Sequence, residues 1–308
     1  MTPRSSCAGS LSRRDFLTRT SVTASLAVAG LGVMGMTPSA ARRMALPTSA
    51  SDRVTLGRTG ITCSVVGMGT GSVGVGQASN QTRLGVAGFT KVARHALDRG
   101  LNLFDVADQY GSHTYLRAAL KGVPRESYVV QTKTHATTYA NAKSHVERYL
   151  MELGVDYLDT LLLHCMTKES WIADHEGARD YLSEAKEKGL IRAHGVSCHG
   201  IEPLRVAARD PWVEVDLARI NPEGQIMDAD VPTVVSELEV MHHAGKGVIG
   251  MKILAEGRIK DAAAKDASLK FVLGLGTVNA FVVGFESTEQ IDDLVGRVDR
   301  ILTELKGA

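Results

Sequence analysis

Two stretches decide the fold: Asp156-Tyr157-Leu158-Asp159-Thr160-Leu161-Leu162-Leu163-His164 and Gly189-Leu190-Ile191-Arg192-Ala193-His194-Gly195-Val196-Ser197. Each contains a short strand-forming run, 158–163 and 192–196. Each run is preceded by a glycine, Gly154 or Gly189, where a helix should stop. Ahead of the first, Val146, Tyr149, Leu150 and Leu153 recur at helical spacing and lay one apolar stripe against a sheet. Strand and helix in alternation describe parallel strands joined by crossover helices. The rhythm extends in both directions. Runs at 61–66, 102–106, 128–132, 215–220, 248–251 and 278–283 bring the strands to eight. Gly100 closes another helix. Ile291, Leu294, Val295, Val298 and Leu302 stripe a last one, with Ser287 and Gln290 spaced as a capping box at its start.

Eight strand-helix units favour a closed ring over an open doubly wound sheet, which carries a dinucleotide fingerprint after its first strand. Here the first strand runs into Gly67-Met68-Gly69-Thr70-Gly71, which lacks the G-x-G-x-x-G spacing. Before it, Val54-Thr55-Leu56-Gly57-Arg58-Thr59-Gly60-Ile61 reads as a hairpin with a glycine turn, placed to plug the barrel bottom. The expectation is an α/β fold, a single (β/α)8 TIM barrel over residues 53–308 with an N-terminal β-hairpin.

The chain has 308 residues, 44% of them apolar, enough to bury a core without disulfides or metal. With 35 basic and 34 acidic side chains the net charge is +1, which offers no long-range attraction for nucleic acid. Ser12-Arg13-Arg14-Asp15-Phe16-Leu17 precedes an uncharged stretch, 20–41, and resembles a twin-arginine export signal. Its apolar centre, 21–36, is short and glycine-diluted beside the ~20 residues of a spanning helix, so no stable membrane anchor is expected. Ser39 and Ala41 suit a cleavage site after Ala41. This predicts a signal at 1–41, a linker at 42–52, passage through the twin-arginine export machinery and a periplasmic or extracellular location. Cys63, Cys165 and Cys198 are too few and scattered for a disulfide framework and are expected to be mostly buried thiols. No stretch specifies an oligomeric state.

A barrel of this kind assembles its site from the C-terminal ends of its strands. After the second comes Asp105, with Tyr110 five residues on; the third ends in Lys133 and the fourth in His164. A phenol, an ammonium, a carboxylate and an imidazole can protonate a carbonyl oxygen while a hydride arrives at carbon. Lys133 would stabilise the Tyr110 phenolate and make the phenol a better acid. Asp105 would hold Lys133, and His164 would hydrogen-bond the substrate oxygen. Each residue alone is equally well a satisfied structural group; the combination carries the reading. A metal reading of His164-Cys165, Cys198-His199 or His242-His243 fails, because neighbours on a strand face opposite ways and helical motif spacings are missing. His242 and His243 read as helix surface.

In this order the four residues, together with Val54-Thr55-Leu56-Gly57-Arg58-Thr59-Gly60, Leu103-Phe104-Asp105-Val106-Ala107-Asp108-Gln109-Tyr110-Gly111 and the two stretches quoted first, resemble the aldo-keto reductase superfamily over 54–304. The resemblance implies reduction of a small aldehyde or ketone with NADPH, or less often NADH, by an Asp, Tyr, Lys and His tetrad. It implies cofactor contacts at Gly69 and Thr70, at Ser197 and Asn221 for the nicotinamide carboxamide, and at Gly284, Ser287 and Asp293 around the adenosine end. Five positions depart from its pattern, among them Leu294, which replaces a usual Asn. Cys198 replaces an Asn, and Met251 replaces the aromatic residue that stacks on the nicotinamide. Lys252, in place of a small residue, would meet the pyrophosphate. Gln290 stands where many members carry an Arg for the 2′-phosphate. Asn221 before Pro222 reads equally as a turn residue. Two other classes stay open: an accessory nucleotide-binding barrel with little turnover, and a barrel aldolase or isomerase with Lys133 as a Schiff base.

Overall fold

The computed structural model describes residues 45–307. The expected export signal, 1–41, and the first three residues of the expected linker, 42–44, lie outside the described residues. The chain enters through an antiparallel hairpin, β1 (Arg53–Thr55) and β2 (Thr62–Ser64), and then builds strand-helix units. These run β3 (Val66–Gly69), α1 (Asn80–Arg83), α2 (Gly85–Asp98), β4 (Leu103–Asp105), α3 (His113–Ala119), β5 (Val129–Thr134), α4 (Tyr139–Leu153) and β6 (Leu158–Met166). They continue with α5 (Trp171–Asp174), α6 (Glu176–Glu187), β7 (Ile191–Cys198), α7 (Ile201–Arg209), β8 (Val215–Arg219) and α8 (Val231–His243). The last are β9 (Gly247–Met251), α9 (Ala262–Gly274), β10 (Ala280–Gly284) and α10 (Thr288–Gly307). Strands β3 to β10 pair in parallel, and β10 returns to β3, so the ring is closed. Among the described residues no helix is long and apolar enough to cross a membrane.

The expected strand 61–66 divides. Residues 62–64 belong to the hairpin and the first barrel strand is 66–69, because Thr62 to Ser64 pair with Thr55 to Arg53 while Val66 pairs with Phe281. A continuous apolar run hides such a change of partner.

Alternation along the strands separates two apolar layers. Inward positions such as Leu103, Val129, Leu162, Val215 and Ile249 form a barrel core with Leu56, Ile61 and Cys63 of the hairpin region. Outward positions such as Phe104, Val130, Leu161 and Val196 pack under the helices. The hairpin closes the N-terminal end of the ring. Leu56 N–H donates to the Ile61 carbonyl at 2.9 Å, and Arg58 N–H to the Gly245 carbonyl at 2.9 Å. Gly57 has φ +52, and a Cβ there would lie 2.4 Å from the Gly245 oxygen, so only glycine lets the turn reach the barrel.

Helix α4 buries Ala142, Val146, Tyr149 and Leu153 and stops at Gly154, which takes φ 68. Helix α10 buries the expected stripe, with Ile301 added. Its capping differs from expectation. Gln290 N–H reaches Ser287 Oγ at 3.4 Å, but the Gln290 amide oxygen accepts from Glu286 N–H at 2.7 Å, one residue earlier than a reciprocal box requires. Cys63 and Cys198 are buried thiols, and Cys165 is half-buried.

Candidate active site

Asp105 ends β4 and Lys133 lies in β5, on the inward face set by Leu103 and Val129 two and four residues earlier. Lys133 Nζ donates to Asp105 Oδ1 at 2.6 Å and to the Val106 carbonyl at 3.0 Å. Both side chains are buried, and an ammonium in such a place persists only with a partner of this kind. Burial draws the Lys133 pKa down, and the Asp105 carboxylate opposes that fall. Gln131 Nε2 donates to the same Asp105 oxygen at 2.8 Å, and Thr160 Oγ1 donates to Gln131 Oε1 at 3.2 Å. Gln131 is absent from the residues the sequence singles out. Its signal is a polar side chain two residues before Lys133, on the same inward face of β5.

Tyr110 ends a single 3-10 turn, Asp108–Tyr110, just beyond β4. Its Oη lies 3.4 Å from His164 Nε2 on β6, with the rings edge to face, and Lys133 Nζ stands 5.0 Å from the centre of its ring. The four expected residues therefore meet. Gly71 and Gly74 cover the Tyr110 ring so closely that a Cβ at either would lie 2.4 or 2.5 Å from a ring carbon. Neither Gly71 nor Gly74 is among the residues the sequence singles out; the run 67–71 offers only Gly69 and Thr70 as cofactor contacts.

The electrostatics correct one expectation. Burial, reinforced by the Asp105 carboxylate, raises the Tyr110 pKa far above its usual value. The phenol keeps its proton at neutral pH, as a donor must. Burial, then the Lys133 charge, pushes His164 down to about 2, and burial with Arg219 and Lys252 pushes His199 down to about 4. Both are neutral imidazoles at working pH. His135 stacks on His164 with centroids 4.5 Å apart and donates from Nε2 to the Gln109 amide oxygen at 2.7 Å. His164 Nδ1 is buried without a hydrogen-bond partner among the described residues.

A cleft of about 390 Å³ opens beside Tyr110 and Asp105 and reaches the first turns of α10. Gly69, Met251, Lys252, Gly284, Gln290 and Asp293, expected at a nucleotide, line it. Lys252 turns its ammonium to Glu256 of the same loop, and Asp293 pairs with Arg297 at 2.9 Å. Residues the sequence did not single out also line the cleft, among them Ser72, Asn80, Lys260 and Lys265. Ser72 and Lys260 lie in loops and Asn80 and Lys265 at helix starts, where composition gives no functional signal.

Five residues expected at the nucleotide lie outside the cleft lining, for identifiable reasons. Thr70 is fully buried and its hydroxyl donates to the Asp105 carbonyl at 2.9 Å. Ser197 Oγ accepts from Cys165 N–H at 3.0 Å. Cys198 lies in the apolar layer under the helices. The Asn221 amide is committed to its own loop, donating to the Gln225 and Lys252 carbonyls at 2.8 and 3.2 Å. Ser287 serves the start of α10, accepting from Gln290 N–H at 3.4 Å.

The residues present still fit a dinucleotide. The cleft volume falls in the usual range for ligand sites, ~300–1,000 Å³. Asp105 and the Tyr110 phenol line one end, and the positive end of a 20-residue helix lies at the other.

A parallel barrel with an Asp, Tyr, Lys and His group at its C-terminal mouth, opening on a long cleft, defines a class of barrel oxidoreductases. Residues 65–273 match the Aldo/keto reductase family, and the chain belongs to it. A curated aldo-keto reductase from Mycolicibacterium paratuberculosis (strain ATCC BAA-968 / K-10) is 35% identical over 108 residues, covering 33% of this chain and 36% of that one. The NADH-specific methylglyoxal reductase of Escherichia coli (strain K12) is 30% identical over 169 residues, 47% of this chain and 51% of the relative. The chain thus matches about a third to a half of the length of these relatives. Among solved structures, an aldo-keto reductase from Bacillus halodurans in its holo form superposes with TM-score 0.65 at 18% identity, over 82% of this chain and 96% of the other. At that identity the likeness shows the fold.

Proposed function

We propose that this chain reduces an aldehyde or ketone to the alcohol, with Tyr110 as the proton donor and NADPH or NADH as the cofactor. One observation carries the reading: Tyr110 Oη and His164 Nε2 lie 3.4 Å apart, next to the buried Lys133–Asp105 pair and at one end of the cleft. The dinucleotide, when bound, supplies a hydride to the carbonyl carbon. Gly69, Met251, Lys252, Gly284, Gln290 and Asp293 would hold it. Tyr110 gives its proton to the carbonyl oxygen, so carbon gains the hydride and oxygen the proton. Lys133 offsets the phenolate charge as it develops, and Asp105 fixes Lys133. His164, neutral, orients the oxygen through Nε2.

Titration with NADPH and with NADH, read by fluorescence, should show saturable binding of at least one. A panel of small carbonyls that includes methylglyoxal should then consume the bound nucleotide. Failure to bind either nucleotide overturns the reading. Binding without turnover of any carbonyl would make the chain an accessory barrel instead.

We also propose that residues 1–41 direct the protein through the twin-arginine route to the periplasm or exterior, supported by Arg13-Arg14 and the uncharged stretch after them. Replacing both arginines by lysine should retain the protein inside the cell; unchanged export would refute it.

A further inference from the structure

A 3-10 turn of three residues is too short to fix its own orientation, yet this one carries the reacting hydroxyl of Tyr110. Its first residue is clamped. Arg148, from the middle of α4, donates from Nη1 and Nη2 to the two carboxylate oxygens of Asp108 at 2.7 and 2.8 Å, a fork that sets direction as well as distance. The same bond holds the Asp108 carboxyl down to about 2, so it stays charged at any working pH. Arg148 also donates to Glu152 at 2.9 Å, one turn further along the helix. Glu152 accepts from His113 Nδ1 at 2.8 Å, and His113 Nε2 meets Thr132 Oγ1 at 2.7 Å. Thr132 is the residue before Lys133. One guanidinium therefore ties the turn bearing Tyr110 to the strand bearing Lys133.

We propose that Arg148 is a positioning residue for the proton transfer: through Asp108 it fixes the Tyr110 hydroxyl against His164, and through Glu152 and His113 it holds the register of that turn to β5. The proposal rests on Tyr110 being the proton donor. The pair is a poor stability element, since the Arg148 side chain is 35% exposed and that of Asp108 20%, where ion pairs contribute little. Its geometric effect is large, because Tyr110 lies two residues from the clamped carboxylate. On its far side Gly71 and Gly74 confine the ring, and at the backbone end the fork on Asp108 acts with the Gln77 N–H, which donates to the Gln109 carbonyl at 3.0 Å.

With the full protein, Arg148→Ala should lower kcat on the order of 10- to 100-fold, the penalty of a displacement near an ångström, while the nucleotide KM and the melting temperature stay close to wild type. Arg148→Lys, which keeps the charge and loses the fork, should fall between the two. Asp108→Asn should match Arg148→Ala, and the double variant should be no slower than either, as for two residues acting through one contact. Wild-type kcat in Arg148→Ala, or losses that multiply in the double variant, overturns the proposal. If the wild-type protein itself reduces no carbonyl, the reading of Tyr110 has failed separately. Placement is then read from fluorine NMR of fluorotyrosine-labelled protein, with the Tyr110 line identified by its loss in Tyr110→Phe. A Tyr110 line moved in Arg148→Ala supports the clamp, and an unmoved line refutes it.

Discussion

At the N-terminal end of the barrel, Leu103, Val129 and Leu162 point inward against Leu56 and Ile61 of the hairpin region. Two or four residues later on the same faces of the same strands stand Asp105, Lys133 and His164. One end is sealed and apolar. The other buries an ammonium, a carboxylate and an imidazole, and leaves His164 Nδ1 without a partner among the described residues. Burying a Leu contributes roughly 1.5–3 kcal/mol, whereas a buried ion pair gains little over an apolar pair of the same shape. The strands are thus stable below and reactive above, and the closed hairpin end supports the polar mouth.

The sharpest way to break this comparison is to exchange the expected penalties of the two ends. Lys133→Met leaves Asp105 buried without its cation. It should cost about 3–5 kcal/mol in denaturant unfolding and lower turnover by roughly 10²- to 10⁴-fold. Leu56→Ala should cost about 2–5 kcal/mol from the cavity alone and leave kcat unchanged. A Leu56→Ala protein that unfolds as easily as Lys133→Met but also loses turnover would mean that the two ends are not separable.

A smaller effect sharpens the comparison in the layer outside the barrel. Asp159, almost wholly buried, accepts from Arg125 at 2.6 Å, Arg192 at 2.7 Å and Val130 N–H at 2.9 Å. Asp216, equally buried, has the Cys198 thiol beside it and no nitrogen or oxygen donor among the described residues, and burial with the neighbouring Asp228 raises it to about 8. In the unfolded chain this carboxyl ionises near its ordinary 3.8. Between those values the folded state holds a proton that the unfolded state has released, so stability falls as pH rises from about 4 to about 8. Asp216→Asn should remove that slope and gain on the order of 1–3 kcal/mol at pH 8 relative to wild type. An identical pH dependence in the two proteins would place a compensating partner beside Asp216.

The strand rhythm, and Asp105, Lys133 and His164 at the mouth, are legible in the sequence because each lies at or near a strand end, where alternation assigns its face, while Tyr110 is found by its spacing of five from Asp105. Less legible is whatever depends on a partner far along the chain. The division of 61–66 needs Phe281, and the clamp on Asp108 needs Arg148, forty positions away. Thr70, Ser197 and Asn221 carry side chains that suit a nucleotide equally well. Their bonds to the Asp105 carbonyl, the Cys165 N–H and the 221–225 turn depend on neighbours that the sequence does not place. The loop after β9 gives no pattern at all, although Lys260 and Lys265 from it and the start of α9 line the cleft.

The most direct test of the central claim follows one hydrogen through a single turnover. Protein mixed with a nicotinamide nucleotide deuterated at the transferring position and a carbonyl from the panel should give an alcohol labelled on the former carbonyl carbon. Tyr110→Phe should bind the nucleotide equally well and give almost none. Unlabelled alcohol, or labelled alcohol formed as fast by Tyr110→Phe, would contradict the account.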